Sequence, residues 1–260
     1  MCCKPNSWRG PCGRFLFIAL ALLVLMNVGC ARRTRPPRPP ASAADHLEEG
    51  IERYRTGDRS GAIAAFNEAL RIDGQCADAY HNRGVVRQDE DDLDGAIADF
   101  DSALGINPRL PGTLLNRGIA RQDKHDLDGA IADFSAAITI DPRLAKAFLN
   151  RGIAWHEKGE LEEALADLNK AIEIAPDFAE AYNSRGIVRE AKNDSKGSIA
   201  DYSEAIRLRP QYAEPYRGRG LALLKTGNER DAQNDFDAYR KLKPDQKAAL
   251  DRLIAEAKKK

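Results

Sequence analysis

Apolar residues recur at helical spacing along this chain. In one stretch Ala164, Leu165, Leu168, Ala171 and Ile172 fall on one face, which predicts an amphipathic helix. The pattern returns every 34 residues, and Gly50, Gly84, Gly118, Gly152, Gly186 and Gly220 mark the period without a missing member. With each glycine set at position 8, six units begin at Ala43, Ala77, Pro111, Ala145, Ala179 and Ala213. Position 20 is Ala62, Ala96, Ala130, Ala164, Ser198 and Ala232, and position 24 is Phe66, Phe100, Phe134, Leu168, Tyr202 and Phe236. Small residues at 8 and 20 let two antiparallel helices approach closely, and the large residue at 24 fills the space between pairs. Proline at position 32 (Pro108, Pro142, Pro176, Pro210 and Pro244, with Gly74 in the first unit) stops the second helix.

The turn between the two helices is also written in the chain. Position 15 is Gly57, Asp91, His125, Gly159, Asn193 and Gly227, residue types that tolerate the left-handed conformation at a helix C-terminus. Position 16 is Asp58, Asp92, Asp126, Glu160, Asp194 and Asn228, five of them strong N-caps for the helix that follows. Position 7 carries Arg83, Arg117, Arg151, Arg185 and Arg219, and position 23 carries Asp99, Asp133, Asp167, Asp201 and Asp235. The first unit lacks both, with Glu49 and Ala65 in their places. This co-occurrence predicts a structural arginine–aspartate pair linking first helix to second, within a unit or to its neighbour.

Over roughly residues 45–246 these positions resemble the tetratricopeptide repeat family. The resemblance implies an all-α, right-handed superhelical solenoid of six helix-turn-helix units, 43–76, 77–110, 111–144, 145–178, 179–212 and 213–246. Leu250, Leu253 and Ile254 at helical spacing predict a capping helix with a basic tail over 247–260. In the family the first helices line a concave face that takes a peptide or helix of another protein. The positions concerned here are Asn82, Val85, Asn116, Ile119, Lys146, Asn150, Ile153, Asn183 and Ile187. They describe an aliphatic floor with a row of amides, which offer donors and acceptors to a peptide main chain. The local alternative is that Asn82, Asn116 and Asn150 bond neighbouring backbone. Lys146, Asn150 and Asn116 match part of a clamp that some members use for a terminal carboxylate, but His81 and Val85 stand where its other half would lie. Glu157, Glu180, Glu190 and Glu214 give the later half of the groove a preference for basic segments.

Charge and cysteines divide the chain. Residues 1–40 hold seven basic residues and no acid, which leaves 33 basic against 40 acidic in the remainder. An acidic body argues against nucleic acid, whose binding depends on neutralising phosphate. Cys2, Cys3, Cys12 and Cys30 lie near the start, and Cys76 is alone in the body. A basic opening, the apolar run Phe15–Val28 broken by Asn27, and the small residues that follow have the parts of an export signal over residues 1–29. The run is short for a spanning helix, which needs about 20 apolar residues. Val28-Gly29-Cys30 resembles the end of a bacterial lipobox, although the family prefers leucine where this chain has Asn27. That resemblance implies lipid on Cys30 and an envelope protein facing the periplasm or exterior. An uncleaved inner-membrane anchor and a plain secretory signal stay open. Pro36, Pro37, Pro39 and Pro40 make residues 30–44 a stiff, basic linker.

No phosphate loop or nucleophile elbow is present, and His81, His125 and His156 lie in different units without metal-ligand spacing. The expectation is a non-enzymatic scaffold that needs no cofactor or metal and binds protein. A self-assembling envelope protein and a non-catalytic subunit of an envelope enzyme complex are the other readings.

Overall fold

Each 34-residue unit forms two antiparallel helices joined by a tight turn, in a computed structural model that describes residues 42–258. The first helices are α1 (Ala43–Arg55), α3 (Ala77–Asp89), α5 (Pro111–Asp123), α7 (Ala145–Lys158), α9 (Ala179–Ala191) and α11 (Ala213–Lys225). The second helices are α2 (Arg59–Ile72), α4 (Leu93–Ile106), α6 (Leu127–Ile140), α8 (Leu161–Ile174), α10 (Ser195–Leu208) and α12 (Glu229–Leu242). A single 3-10 turn, Pro244–Gln246, leads into α13 (Lys247–Ala257), and no strand occurs among the described residues. The apolar run, Cys30 and most of the linker lie outside the described residues. No described helix is long and apolar enough to cross a membrane.

Local chemistry sets the boundaries. All six residues at position 15 have positive φ, including the non-glycines Asp91 (64°), His125 (62°) and Asn193 (60°). One residue on, Asp58, Asp92, Asp126 and Asp194 accept the backbone N–H of Gly61, Gly95, Gly129 and Gly197, and Asn228 accepts that of Asp231. Glu160 makes no such bond, its side chain being one carbon longer than the cap geometry wants. At the far end, the residue before each proline is driven from helical to extended backbone, as at Asn107 (φ −134°, ψ 101°).

Packing runs in two directions from position 24. Within a unit the ring lies on the glycine of the first helix: a Cβ on Gly118 would sit 2.5 Å from Phe134, and one on Gly152 would sit 2.9 Å from Leu168. Between units the same side chain packs with position 10 of the next first helix, as Phe66 does with Val86, Phe100 with Ala120, Phe134 with Ala154 and Leu168 with Val188. The last unit has no successor, and Leu250 of α13 packs with Phe236 and Tyr239 instead. A terminal repeat needs such cover because its apolar face would otherwise meet water.

The arginine at position 7 ties units together electrostatically. Arg117 donates from Nε and Nη2 to both oxygens of Asp133 (2.9 and 2.6 Å), and from Nη1 to Asp101 of the preceding unit (2.5 Å). Arg83, Arg151, Arg185 and Arg219 repeat this, with Asn67, Ser135, Asn169 and Ser203 as the acceptor one unit back. The aspartates are buried. Asp99, Asp133 and Asp201 take a further bond from Arg87, Arg121 and Arg189, whereas units four and six carry Trp155 and Leu223 at that position. Outside this ladder Lys124, Lys158 and Lys192 reach Asp94, Asp128 and Glu162 of the unit before, exposed pairs that contribute little.

Two stability tests follow. Gly118→Ala is expected to lower stability by about 1–3 kcal/mol through overpacking against Phe134. Gly105→Ala, where a Cβ meets nothing within 4 Å, should raise it by about 0.5–1 kcal/mol. Thermal melts of the two variants should therefore move in opposite directions. Asp167→Ala strands one half-buried guanidinium and should cost on the order of 3 kcal/mol. Asp133→Ala removes three hydrogen bonds but leaves Arg117 paired with Asp101 and Arg121 3.9 Å from Asp126, so it should cost about as much, as read by denaturant midpoints.

Candidate interaction groove

First helices touch first helices along the chain (α1 with α3, α3 with α5, α5 with α7, α7 with α9, α9 with α11), while successive second helices barely meet. The layer in close contact is the inner side of a curve, so the first helices line the concave face.

Position 9 forms the floor of that face. Val85, Ile119, Ile153 and Leu221 are half-buried, and Ile51 and Ile187 are 44% and 39% exposed. The amide row divides into two behaviours. Asn82 and Asn150 donate Nδ2 to the carbonyls of Asp78 and Lys146 in their own helices, both at 2.7 Å. One N–H of each amide is thus used locally, the alternative the sequence left open, while the carbonyl oxygen makes no hydrogen bond to a described residue. Helix geometry explains it, since position 6 lies one turn from the carbonyl of position 2. Asn116 is half-buried and Asn183 is buried, and neither spends its amide in this way. Lys146 is exposed.

Cavities gather some of these residues. Ile153, His156, Leu168, Ser184, Ile187 and Val188 line one of 140 Å³. Asn183 and Ile187 share a larger one of 460 Å³ with Glu190, Tyr202, Glu214, Arg217 and Leu221. Leu253 of α13 belongs to that cavity too, so the capping helix walls the groove at its C-terminal end without filling it. Polar ties run along the rim: Tyr54 donates to Asp89 and Gln122 to Glu157, each across one unit boundary at 2.7 Å. Tyr202 donates its hydroxyl to Glu190 at 2.7 Å, and burial, with that carboxylate beside it, pushes the phenol well above its ordinary range. Glu190 was read as a groove acid, but Arg217 and Leu253 were not among the residues singled out. The signal for them was position 5 departing from the earlier units, and a cap whose second apolar residue had no buried partner to meet.

On the same inner row His81 Nδ1 lies 2.9 Å from Thr113 Oγ1, with its ring 5.9 Å from that of Phe100. Burial holds the imidazole below its ordinary value, and Asp78 opposes this weakly. Among the described residues no three His, Cys, Asp or Glu side chains gather in a metal-binding group.

A family described as TPR repeat matches residues 154–193 and 190–227, and one described as tetratricopeptide repeat matches residues 47–111. Together they span more than half of the chain. This chain belongs to the tetratricopeptide repeat family. A search of curated proteins returns no match. Among solved structures, this repeat protein is similar to MamA, at 25% identity and a TM-score of 0.56, covering 66% of this chain and 94% of MamA. It is similar to PilF of Pseudomonas aeruginosa, at 18% identity and a TM-score of 0.72, covering 82% and 97%. It is also similar to PilW, a widely conserved type IV pilus biogenesis factor, at 20% identity and a TM-score of 0.71, covering 78% and 94%. At such identities PilF and PilW establish the shared solenoid and no more.

Because burial disfavours protonation of His81 in the fold, protons favour the unfolded chain once pH falls below the ordinary histidine pKa of about 6.5. Stability contributed by the buried neutral ring is present above that pH and declines below it. Urea midpoints at pH 7 and pH 5 should show a smaller drop for His81→Gln than for the parent chain. Equal drops would mean that the ring is not desolvated.

Proposed function

We propose that this repeat protein is a non-enzymatic scaffold, tethered to a membrane by its N-terminal segment, that holds a peptide or helix of another protein in the inner curve of its solenoid. The observation that carries this reading is the aliphatic row at position 9, which leaves Ile51 and Ile187 substantially exposed while position 8 is buried in every unit and position 10 in every unit after the first. Val85, Ile119, Ile153 and Leu221 pack partly against the core and keep the rest of their surface on the inner curve, and apolar rows flanked by polar residues serve association. Binding is reversible, and its effect is to raise a partner's local concentration at a surface. The acidic body favours a protein partner over nucleic acid.

Tethering rests on the basic opening, the apolar run and Cys30. On this reading lipid on Cys30 anchors the chain in the cell envelope, facing the periplasm or exterior, with the Pro-rich linker as a spacer. Retention of the apolar run as an inner-membrane anchor is the alternative.

Both halves are testable in cells. A crosslinking pull-down from membranes should lose its partner when Ile119 and Ile153 are changed to Gln, with the melting curve of the variant monitored alongside. An unchanged set of captured proteins would remove the concave face as the binding surface. Labelling with a palmitate analogue should vanish in Cys30→Ala, and persistent labelling would remove Cys30 as the lipid site.

A further inference from the structure

Three elements converge at the C-terminal end of the inner curve. Ile187 of α9, Leu221 of α11 and Leu253 of α13 line two adjoining cavities, of 460 and 480 Å³. Ile187 and Leu253 are among the few large apolar side chains left exposed, at 39% and 38%. Both line each of the two cavities, which thereby share walls and make one slot.

Asn183 lines the 460 Å³ cavity of this slot. It is only 6% exposed, yet its amide makes no hydrogen bond to any described residue. Its polar atoms are not sealed in protein, since the buried side-chain atom lacking a partner is Nε of Arg240. The amide of Asn183 therefore opens into the cavity it lines. An amide buried this far is normally paired, and a ligand main chain supplies a matching N–H and C=O. Asn82 and Asn150 show the contrast, each with one N–H already committed to its own helix.

The rim carries an excess of carboxylate. Glu190 and Glu214 face Arg217 in one cavity, and Glu190 and Glu256 face Lys225 in the other. Glu190 is held by the Tyr202 hydroxyl and lies 3.8 Å from Lys225, while Glu214 and Glu256 form no ion pair with described residues. A partner that brings a cation meets two carboxylates free of such ion pairs here, whereas one that brings an acid finds, among the described lining residues, a single unpaired cation, Arg217, which shares its cavity with Glu190 and Glu214.

We propose that this slot anchors a peptide segment in which an aliphatic side chain is followed by lysine or arginine. Its main chain pairs with the amide of Asn183. Its aliphatic side chain packs against Ile187, Leu221 and Leu253, and its cation is received by Glu214 or Glu256. The capping helix α13 is then a wall of the binding site as well as the cover of the last repeat. The proposal rests on the concave face being the interaction surface, and it adds the place and the chemistry.

The test uses the full chain in detergent and fluorescein-labelled Gly/Ser peptides of about ten residues. Their central pairs are Leu-Lys, Leu-Glu or Ser-Lys, and binding is read by fluorescence anisotropy. The Leu-Lys peptide should bind at least about tenfold more tightly than the other two. Asn183→Leu, which keeps the side chain's shape, and Leu253→Ser, at an exposed position, should each weaken it by a similar factor, with melting curves near the parent's. Equal binding of Leu-Lys and Leu-Glu would overturn the proposal, as would failure of every peptide to bind. If Leu-Lys binding survives Asn183→Leu and Leu253→Ser but is lost in the Ile119→Gln, Ile153→Gln chain, the slot is wrong and the concave reading stands.

Discussion

A guanidinium at position 7 of every unit after the first reaches three acceptors that belong to two different repeats. Two of its bonds close on the aspartate of its own second helix, and the third reaches the second helix of the unit before. Arginine alone among the side chains has donors fixed in a planar fork that can serve both directions at once. Such half-buried pairs add little net energy when formed but are costly to break, so their effect is chiefly to fix geometry. Each fork sets the roll of a first helix relative to the two second helices that flank it. The first unit carries Glu49 and Ala65 instead, and it has no preceding unit for an arginine to reach; Glu49 pairs with Arg53 of its own helix.

With the roll fixed, the remaining packing has one solution. The residue at position 24 lies on its own glycine and against position 10 of the next unit, so the apolar spine is continuous while each unit contributes only small and large residues in alternation. The first helices close on one another and leave position 9 facing inward, half-covered in four units and exposed at Ile51 and Ile187. The open inner curve is thus a consequence of how the spine is filled, and α13 limits it at one end by supplying Leu250 to the spine and Leu253 to the groove.

Much of this was legible because the period repeats every local decision six times. The turn residues at position 15, the caps at 16 and the stop before 32 are short-range chemistry, and their residue types name the backbone they need. The arginine–aspartate pair was legible from its joint absence in the first unit. Its third branch was not, because the acceptor varies among Asn67, Asp101, Ser135, Asn169 and Ser203, which share only a short side chain bearing an oxygen. The groove was read less well. An asparagine's spacing does not say whether its amide turns to the carbonyl one turn back, as in Asn82 and Asn150, or into a cavity, as in Asn183. Nor does the periodicity of α13 say that one of its apolar residues faces outward.

The claim that each fork holds two repeats together is tested most directly by native-state hydrogen exchange on Arg117→Met. The account predicts faster amide exchange in both α6, which carries Asp133, and α4, which carries Asp101, with α10 and α12 unchanged. Faster exchange confined to α5 and α6, with α4 as protected as in the parent chain, would contradict it.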